Sequence, residues 1–193
     1  MHTPDALLLF LQQLNIFGEE EVQAVAGLFT HRLICKDEYF VREGMPCTEI
    51  AFIESGIFRS FYTDERGNEL TYCFRFPGDF IAAYSSFISG GPSVEYIQAI
   101  TPAGIWTMPK SVVDEQARTN PKWVQLLRLV AEQQFLEMER RYIQLQRDTA
   151  VKRYATLLQQ QPEYLQMIPL QYLASYLGIT QRHLSRIRKE IMF

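Results

Sequence analysis

The sequence has few of the residues that bind metals or form disulfides, because its 193 residues include only three cysteines and three histidines. The cysteines are widely spaced, odd in number and without a Cys-x-x-Cys pair, so they indicate neither a disulfide framework nor a zinc site. The histidines are too scattered to form a metal-binding cluster. We therefore expect no metal, no cofactor, and free thiols in a reducing, cytoplasmic setting. These residues are Cys35, Cys47, Cys73, His2, His31 and His183.

The sequence also lacks a long apolar run at its N-terminus. The run from Leu7 to Leu11 is short, and Asp5 rather than a basic residue precedes it, which suits neither a signal peptide nor a membrane span. Its spacing predicts the buried side of a first helix, and a second helical series follows Gly18. The hydrophobic content of 47% is too high for a disordered chain. We expect a folded protein with no membrane partner.

Proline and glycine are absent between Pro121, a favourable first-turn residue, and Leu158, which predicts one long helix. Along this helix, apolar residues and one glutamine recur at intervals of three and four. Such a seam favours pairing with a second copy of the helix, and hence a homodimer. The alternative is that the seam packs on the rest of its own chain. The seam consists of Trp123, Leu127, Val130, Gln134, Met138, Tyr142 and Leu145.

The middle of the chain has the period of β-strands from Leu33 onward. Short runs rich in isoleucine, phenylalanine, tyrosine and threonine alternate with glycines, which is typical of a β-roll. Between two runs, Asp64 to Asn68 includes Gly67, which tolerates positive φ and predicts a hairpin. The predicted strands are 49–55, 57–63, 69–76 and 96–100.

Residues Pro169 to Ile191 have the pattern of a helix-turn-helix. Ala174 is small where the two helices would cross, Gly178 suits the tight turn, and Thr180 can cap the second helix. Apolar residues at the spacings that would seal the helices together are Leu173, Leu177, Ile179, Leu184 and Ile187.

The outward face of the second helix is polar and basic. Such residues bind phosphates and base edges, so the face predicts an interface with double-stranded DNA. Charge supports this prediction, because residues 1–139 carry a net −9 whereas residues 140–193 carry a net +6. The alternative is an ordinary antiparallel helical hairpin. The predicted DNA-binding residues are Thr180, Gln181, Arg182, Ser185, Arg186 and Lys189.

Over nearly its whole length the sequence resembles the Crp/Fnr superfamily of bacterial transcription factors, typified by the catabolite activator protein and the fumarate-nitrate regulator. The resemblance rests on the helical lead, the glycine-punctuated roll with its segment 76–80, the long helix, and the segments 173–180 and 184–188. It implies a homodimer with paired recognition helices in the DNA major groove, a small-molecule effector, and RNA polymerase as a further partner. Gln181, Arg182 and Arg186 align with the base-reading positions. Gln181 and Arg182 differ from the common residues there, so no target sequence is transferred.

The effector pocket departs from the superfamily pattern. Its cyclic nucleotide binders have a Gly-Glu pair followed by Arg-Ser/Thr-Ala, whose arginine pairs with the cyclic phosphate. Here Ser93 occupies the place of that arginine, and Glu95 adds negative charge nearby. A buried phosphate without a cationic partner is costly, so we expect an unknown effector other than cyclic AMP, or none. The pocket candidates are Gly78, Asp79, Phe80, Ser93 and Val94.

These features predict an α+β chain without enzymatic activity, in three parts. Residues 1–120 form a β-roll effector domain with flanking helices, 121–158 a long dimerisation helix and hinge, and 159–193 a helix-turn-helix domain. Metal-dependent cupin enzymes share such a roll, but they need a histidine cluster that this sequence does not offer. The remaining alternative is a ligand-binding roll that acts as a signalling or scaffold module without DNA binding. That alternative leaves the basic C-terminal helix unexplained.

Overall fold

The computed structural model describes residues 4–160 and 162–191, and these residues form a β-roll flanked by helices. The predicted α+β fold class is confirmed. The strands are β1 (Thr30–Ile34), β2 (Tyr39–Val41), β3 (Glu49–Ser55), β4 (Phe58–Thr63), β5 (Glu69–Arg75), β6 (Phe80–Ile81), β7 (Tyr96–Ala99) and β8 (Ala103–Pro109). The helices are α1 (Asp5–Gln13), α2 (Glu19–Ala26), α3 (Tyr84–Ser89), α4 (Lys110–Thr119), α5 (Pro121–Arg147), α6 (Ala150–Gln160), α7 (Pro162–Leu165), α8 (Leu170–Tyr176) and α9 (Gln181–Ile191).

The roll consists of two four-stranded antiparallel sheets, in the orders β1-β8-β3-β6 and β2-β7-β4-β5. The four strands predicted from the sequence match β3, β4, β5 and β7 to within one residue at each end. β5 lies at the open edge of the second sheet. An edge strand has unpaired amides and carbonyls on one side, so another element has to cover them or leave them to water.

The hairpin between β4 and β5 is built as predicted. Asp64 Oδ1 accepts hydrogen bonds from the amides of Arg66 at 2.9 Å and Asn68 at 2.8 Å, and Gly67 has φ +79°. The aspartate thus satisfies the turn's amides while the glycine takes the left-handed conformation.

Two hydrophobic cores organise the chain. The larger fills the roll and includes residues of α1, α2 and the first turns of α5, where Trp123 is only 1% exposed and its ring lies 6.2 Å from that of Phe17. The smaller joins α6, α7, α8 and α9, and it also contains Ile57 and Phe74 of the roll. The helix-turn-helix is therefore packed on the roll of its own chain.

The single long helix predicted from Pro121 to Leu158 is two helices in the structure. The backbone at Asp148 is extended, with φ −96° and ψ 143°, and this ends α5. Thr149 Oγ1 then accepts the amide hydrogen bond of Lys152 at 3.3 Å and starts α6. Aspartate and threonine are favoured at helix starts, so the sequence carried a local signal for this break. Gln161, at the junction with α7, lies outside the described residues.

Among the described residues, no helix combines the length and apolar character needed to cross a membrane.

Candidate nucleic-acid interface and effector pocket

The turn between α8 and α9 is tightly fixed by backbone hydrogen bonds. Gly178 has φ +66°, the amide of Ile179 donates to the carbonyl of Ala174 at 3.0 Å, and the amide of Gly178 donates to the carbonyl of Ser175 at 2.9 Å. This pair of bonds is the Schellman motif, in which a left-handed glycine ends a helix. The motif redirects the chain within a few residues and sets the angle between the two helices.

The first turn of α9 is capped as the sequence predicted. Thr180 Oγ1 accepts a hydrogen bond from the amide of His183 at 3.2 Å, and the Thr180 carbonyl accepts one from Leu184 at 3.0 Å. The cap satisfies a donor that the helix itself leaves free. The predicted sealing residues are buried between the helices, apart from the half-buried Ile179: Leu173, Leu177, Leu184 and Ile187.

The outer face of α9 leaves its cations largely free for an anionic partner. Gln181, Arg182, Arg186 and Lys189 are exposed, and Ser185 is half-buried. Arg186 Nε lies 3.7 Å from the carboxylate of Glu190, but both side chains are mostly solvent-exposed. An exposed ion pair of this kind is worth little, so it leaves the guanidinium available. Together these side chains form a polar and basic surface on one helix.

Three of the five effector-pocket candidates come together in the structure. Gly78, Asp79 and Phe80 line a cleft between the roll and α5, together with Arg75 and Gln134. The cleft volume is about 30 Å³. That is room for one or two waters, whereas small-molecule pockets measure hundreds of cubic ångströms. Within this cleft, Asp79 accepts a hydrogen bond from the amide of Phe76 at 2.8 Å, and burial raises the pKa of its carboxyl.

Ser93 and Val94 do not line this cleft. Val94 is exposed, whereas Ser93 is buried and its hydroxyl donates to the carbonyl of Glu95 at 2.8 Å. The Glu95 carboxylate is buried too, and it accepts a hydrogen bond from the hydroxyl of Tyr72. Burial raises the pKa of the Glu95 carboxyl. Ser93 thus offers no cation, and the residue two positions along the chain adds a buried carboxyl group, which is unfavourable for binding an anion here.

Sequence reasoning missed the ion pair that joins the roll to α5. Arg75 Nη1 donates to Glu137 Oε2 at 2.6 Å, and Arg75 Nη2 donates to Gln134 Oε1 at 2.7 Å. Burial raises the pKa of the adjacent Cys73 thiol to about 11, so this cysteine stays protonated and unreactive. Arg75 has its charge compensated within the chain and is not a free cation. Among the described residues, no group of three metal-ligating side chains is found.

The first half of the predicted dimer seam contacts its own chain. Trp123 is buried in the roll core, Leu127 and Val130 pack against that core, and Gln134 binds Arg75. Trp123 is therefore taken up by its own chain, whereas Leu127, Val130 and Gln134 are half-buried and keep part of their surface in solvent. The pairing of this half of the seam with a second copy stays a prediction.

The second half of α5 leaves apolar side chains in solvent. Met138 is 69% exposed and Phe135 is 65% exposed, and Tyr142 and Leu145 are exposed as well. Together with Val124 and Ala131 they recur at intervals of three, four and seven, so they lie along one helix face. We call this face the α5 stripe: Val124, Ala131, Phe135, Met138, Tyr142 and Leu145. Its last three members belong to the predicted seam, whereas Phe135 does not.

The roll is similar to a known domain family. Residues 31–120 match the family described as "Cyclic nucleotide-binding domain". No curated protein matches the chain at a significant level.

Solved structures of bacterial proteins share the fold over most of the chain. FixK2 from Bradyrhizobium japonicum is 21% identical with a TM-score of 0.75, and the alignment covers 85% of this chain and 84% of that one. The c-di-GMP responsive regulator CLP from Xanthomonas campestris is 16% identical with a TM-score of 0.72, covering 91% and 92%. A transcriptional regulator of the Crp/Fnr family from Eubacterium rectale is 16% identical with a TM-score of 0.73, covering 95% and 87%. At these identities the likeness establishes the fold.

Proposed function

We propose that this chain is a dimeric transcription regulator that binds double-stranded DNA through α9. Residues 31–120 match the cyclic nucleotide-binding domain family, and the chain has the fold of the Crp/Fnr regulators. The observation that supports DNA binding is the exposed basic face of α9. This helix is capped by Thr180, and the tight turn at Gly178 fixes its direction. Arg182 and Arg186 suit guanine edges, and Lys189 suits a phosphate. Because the proposed target is DNA, the proposed location is the cytoplasm.

The α5 stripe supports the dimer. A row of large apolar side chains on one face of a helix of 27 residues is what two such helices bury against each other. Pairing around a two-fold axis would present two copies of α9 to half-sites about one DNA turn, roughly 34 Å, apart. The proposed target is therefore an inverted repeat.

Selection of duplexes from a random pool by the purified full-length protein tests this proposal. We expect an inverted repeat to be enriched and to bind about 10³-fold or more tightly than a random duplex at the same salt concentration. A best selected duplex that binds no better than random DNA would contradict sequence-specific binding. Sedimentation at micromolar concentration tests the dimer separately, and a monomer would contradict that part alone.

We also propose that cyclic AMP is not the effector. Ser93 offers no cation, the buried Glu95 lies beside it, and Arg75 is already paired with Glu137. Isothermal calorimetry with cyclic AMP is expected to give no measurable binding at micromolar concentration. A micromolar dissociation constant would contradict this and would imply that Arg75 exchanges Glu137 for the phosphate.

A further inference from the structure

The first helix of the helix-turn-helix covers the open edge of the roll. The Ser175 hydroxyl of α8 accepts a hydrogen bond from the amide of Thr71 at 2.9 Å and donates one to the carbonyl of Glu69 at 3.0 Å. Both backbone groups belong to the edge strand β5, so one side chain takes the place of a neighbouring strand there. The bonding partners are 104 and 106 positions apart in the sequence.

A buried arginine of the roll holds the same helix from the sheet face. Arg59 is 1% exposed, and its guanidinium lies between the rings of Phe61, at 3.9 Å, and Tyr172 of α8, at 3.6 Å. Gln98 Oε1 accepts from Arg59 Nε at 2.9 Å, and the Glu69 carboxylate lies 2.6 Å from Nη2. Tyr172 thus completes a stack whose other members all belong to the roll. Stacking on an aromatic face is favourable for a desolvated guanidinium.

Two further arginines bind the C-terminal end of α8. Arg141 of α5 donates to the carbonyl of Tyr176, and Arg153 of α6 donates to the carbonyl of Leu177 at 2.7 Å. The last carbonyls of a helix carry partial negative charge, which cations stabilise. Because these arginines lie on either side of the break at Asp148, they also fix the angle between α5 and α6.

We propose that Arg59 and Ser175 are positioning residues for DNA recognition: by holding α8 on β4 and β5 they fix the orientation of α9 relative to the roll. The inference rests on the proposed function. Docking and DNA binding are compatible, because Tyr172 and Ser175 face the roll whereas Arg182 and Arg186 remain exposed. In a dimer, a fixed orientation lowers the entropy lost when the second recognition helix engages after the first.

Beside the apolar contacts of the smaller core, the interface contains buried polar atoms that are incompletely satisfied. Arg59 Nη1 and Thr71 Oγ1 are buried, and neither has a hydrogen-bond partner within the described part of the chain. A buried donor or acceptor without a hydrogen-bond partner destabilises the closed interface. When the interface opens, water binds the group and this cost disappears. Removing the Ser175 hydroxyl, which makes both hydrogen bonds to β5, is therefore expected to shift the equilibrium of α8 from the docked toward the released position.

The test compares two duplexes for each variant. One is the inverted repeat selected by the wild-type protein, and the other is the same duplex with one half-site scrambled. In Ser175→Ala, which keeps helix propensity, we expect about tenfold weaker binding to the intact repeat and less than a twofold change on the scrambled one. Hydrogen exchange at the Thr71 amide should accelerate. Ser111→Ala, at an exposed helical serine of α4, is the matched control and should match the wild type in both assays.

A second pair of variants tests the stack on Arg59. Tyr172→Phe keeps an aromatic face and should bind like the wild type, whereas Tyr172→Leu should show the same selective loss on the intact repeat. Equal losses on both duplexes would overturn the proposal, because they would mean damage to the recognition element itself. Undiminished binding to the intact repeat, or an unchanged Thr71 amide in Ser175→Ala, would overturn it as well. If the wild-type protein selects no duplex, the proposed function fails first, and that result is distinguishable.

Discussion

The roll and the C-terminal part of the chain differ in what they leave unpaired. In the roll, the cations Arg59 and Arg75 are bound within the chain, and the large Trp123 side chain at the start of α5 is buried against the roll core. Beyond the middle of α5, the large Met138 side chain and the cation Arg186 face solvent. The net charge follows the same division, with −9 in residues 1–139 and +6 in residues 140–193.

The difference indicates where association with a partner would be most favourable. A region that buries its apolar surface and pairs its charges gains little from association, whereas exposed apolar rows and free cations gain from a partner that covers them. The proposed dimer and DNA surfaces both lie after residue 134 in the sequence, apart from Val124 and Ala131 of the stripe. Substitutions on the two sides should have different consequences.

The largest effects should come from one substitution in each half of α5. Met138→Glu places an unpaired charge in the proposed apolar interface, so the dimer should become a monomer at micromolar concentration while the roll stays folded and unfolds cooperatively. Sedimentation and thermal unfolding would measure the two properties. A dimeric variant would show that the α5 stripe is not the interface.

Trp123→Ala is the matched substitution on the inward half of α5. Its side chain is buried against Phe17, so its removal should lower the free energy of unfolding by about 3–5 kcal/mol, as is typical for deleting a large core aromatic. Denaturant unfolding would measure it. A Trp123→Ala protein of unchanged stability that no longer dimerises would show that the first half of α5 forms the dimer interface and does not pack in the core.

Substitutions at Arg186 and Lys189 should have the next largest effects. They separate base contacts from phosphate contacts on the outer face of α9. Arg186→Ala should cost about 1–3 kcal/mol per half-site on the selected repeat and little on random DNA, because a base contact carries specificity. Lys189→Ala should weaken binding to all sequences alike and lower the slope of log affinity against log salt by about one per lysine removed. Salt titrations on specific and random duplexes measure both. Equal losses for Arg186→Ala on both duplexes would mean that α9 only anchors the protein by charge.

Features encoded in neighbouring residues could be predicted from the sequence. The strands have the right residues and bounding glycines, and the turn at Gly178 and the cap at Thr180 need only local hydrogen bonds. The face of α5 could not be assigned, because residues spaced by three and four occur both on its buried side and on its exposed side. The contacts of Trp123 with Phe17 and of Gln134 with Arg75 show that this side faces inward.

Polar contacts between residues far apart in the sequence could not be predicted either. Nothing in the residues around Ser175 indicates that its hydroxyl binds Thr71, and nothing around Arg75 points to Glu137. The pocket candidates were taken from the resemblance, which aligns Ser93 with a phosphate-binding position. The alignment could not reveal how the buried Glu95 beside it is bonded.

The smallest predicted effect concerns this buried carboxyl of the roll. Burial raises the pKa of Glu95 above its ordinary value of 4.5, and hydrogen bonds from Tyr72 and Ser60 oppose the shift only in part. The folded state therefore binds the proton more tightly than the unfolded state. This group's contribution makes the free energy of unfolding fall as the pH rises from about 4.5 through the raised pKa, and it is constant above that range.

Glu95→Gln should remove that contribution, because the amide stays neutral and its oxygen can still accept the hydrogen bond of Tyr72. The melting temperature of the variant relative to the wild type should therefore be higher at pH 8 than at pH 4. Burial raises the pKa of Asp79 in the same direction, so only the difference between the two proteins isolates Glu95. Thermal unfolding at both pH values measures the difference. A difference that does not change with pH would show that Glu95 is not held in an environment that disfavours its charge, and that the roll is less closed to anions than the contrast with the C-terminal part implies.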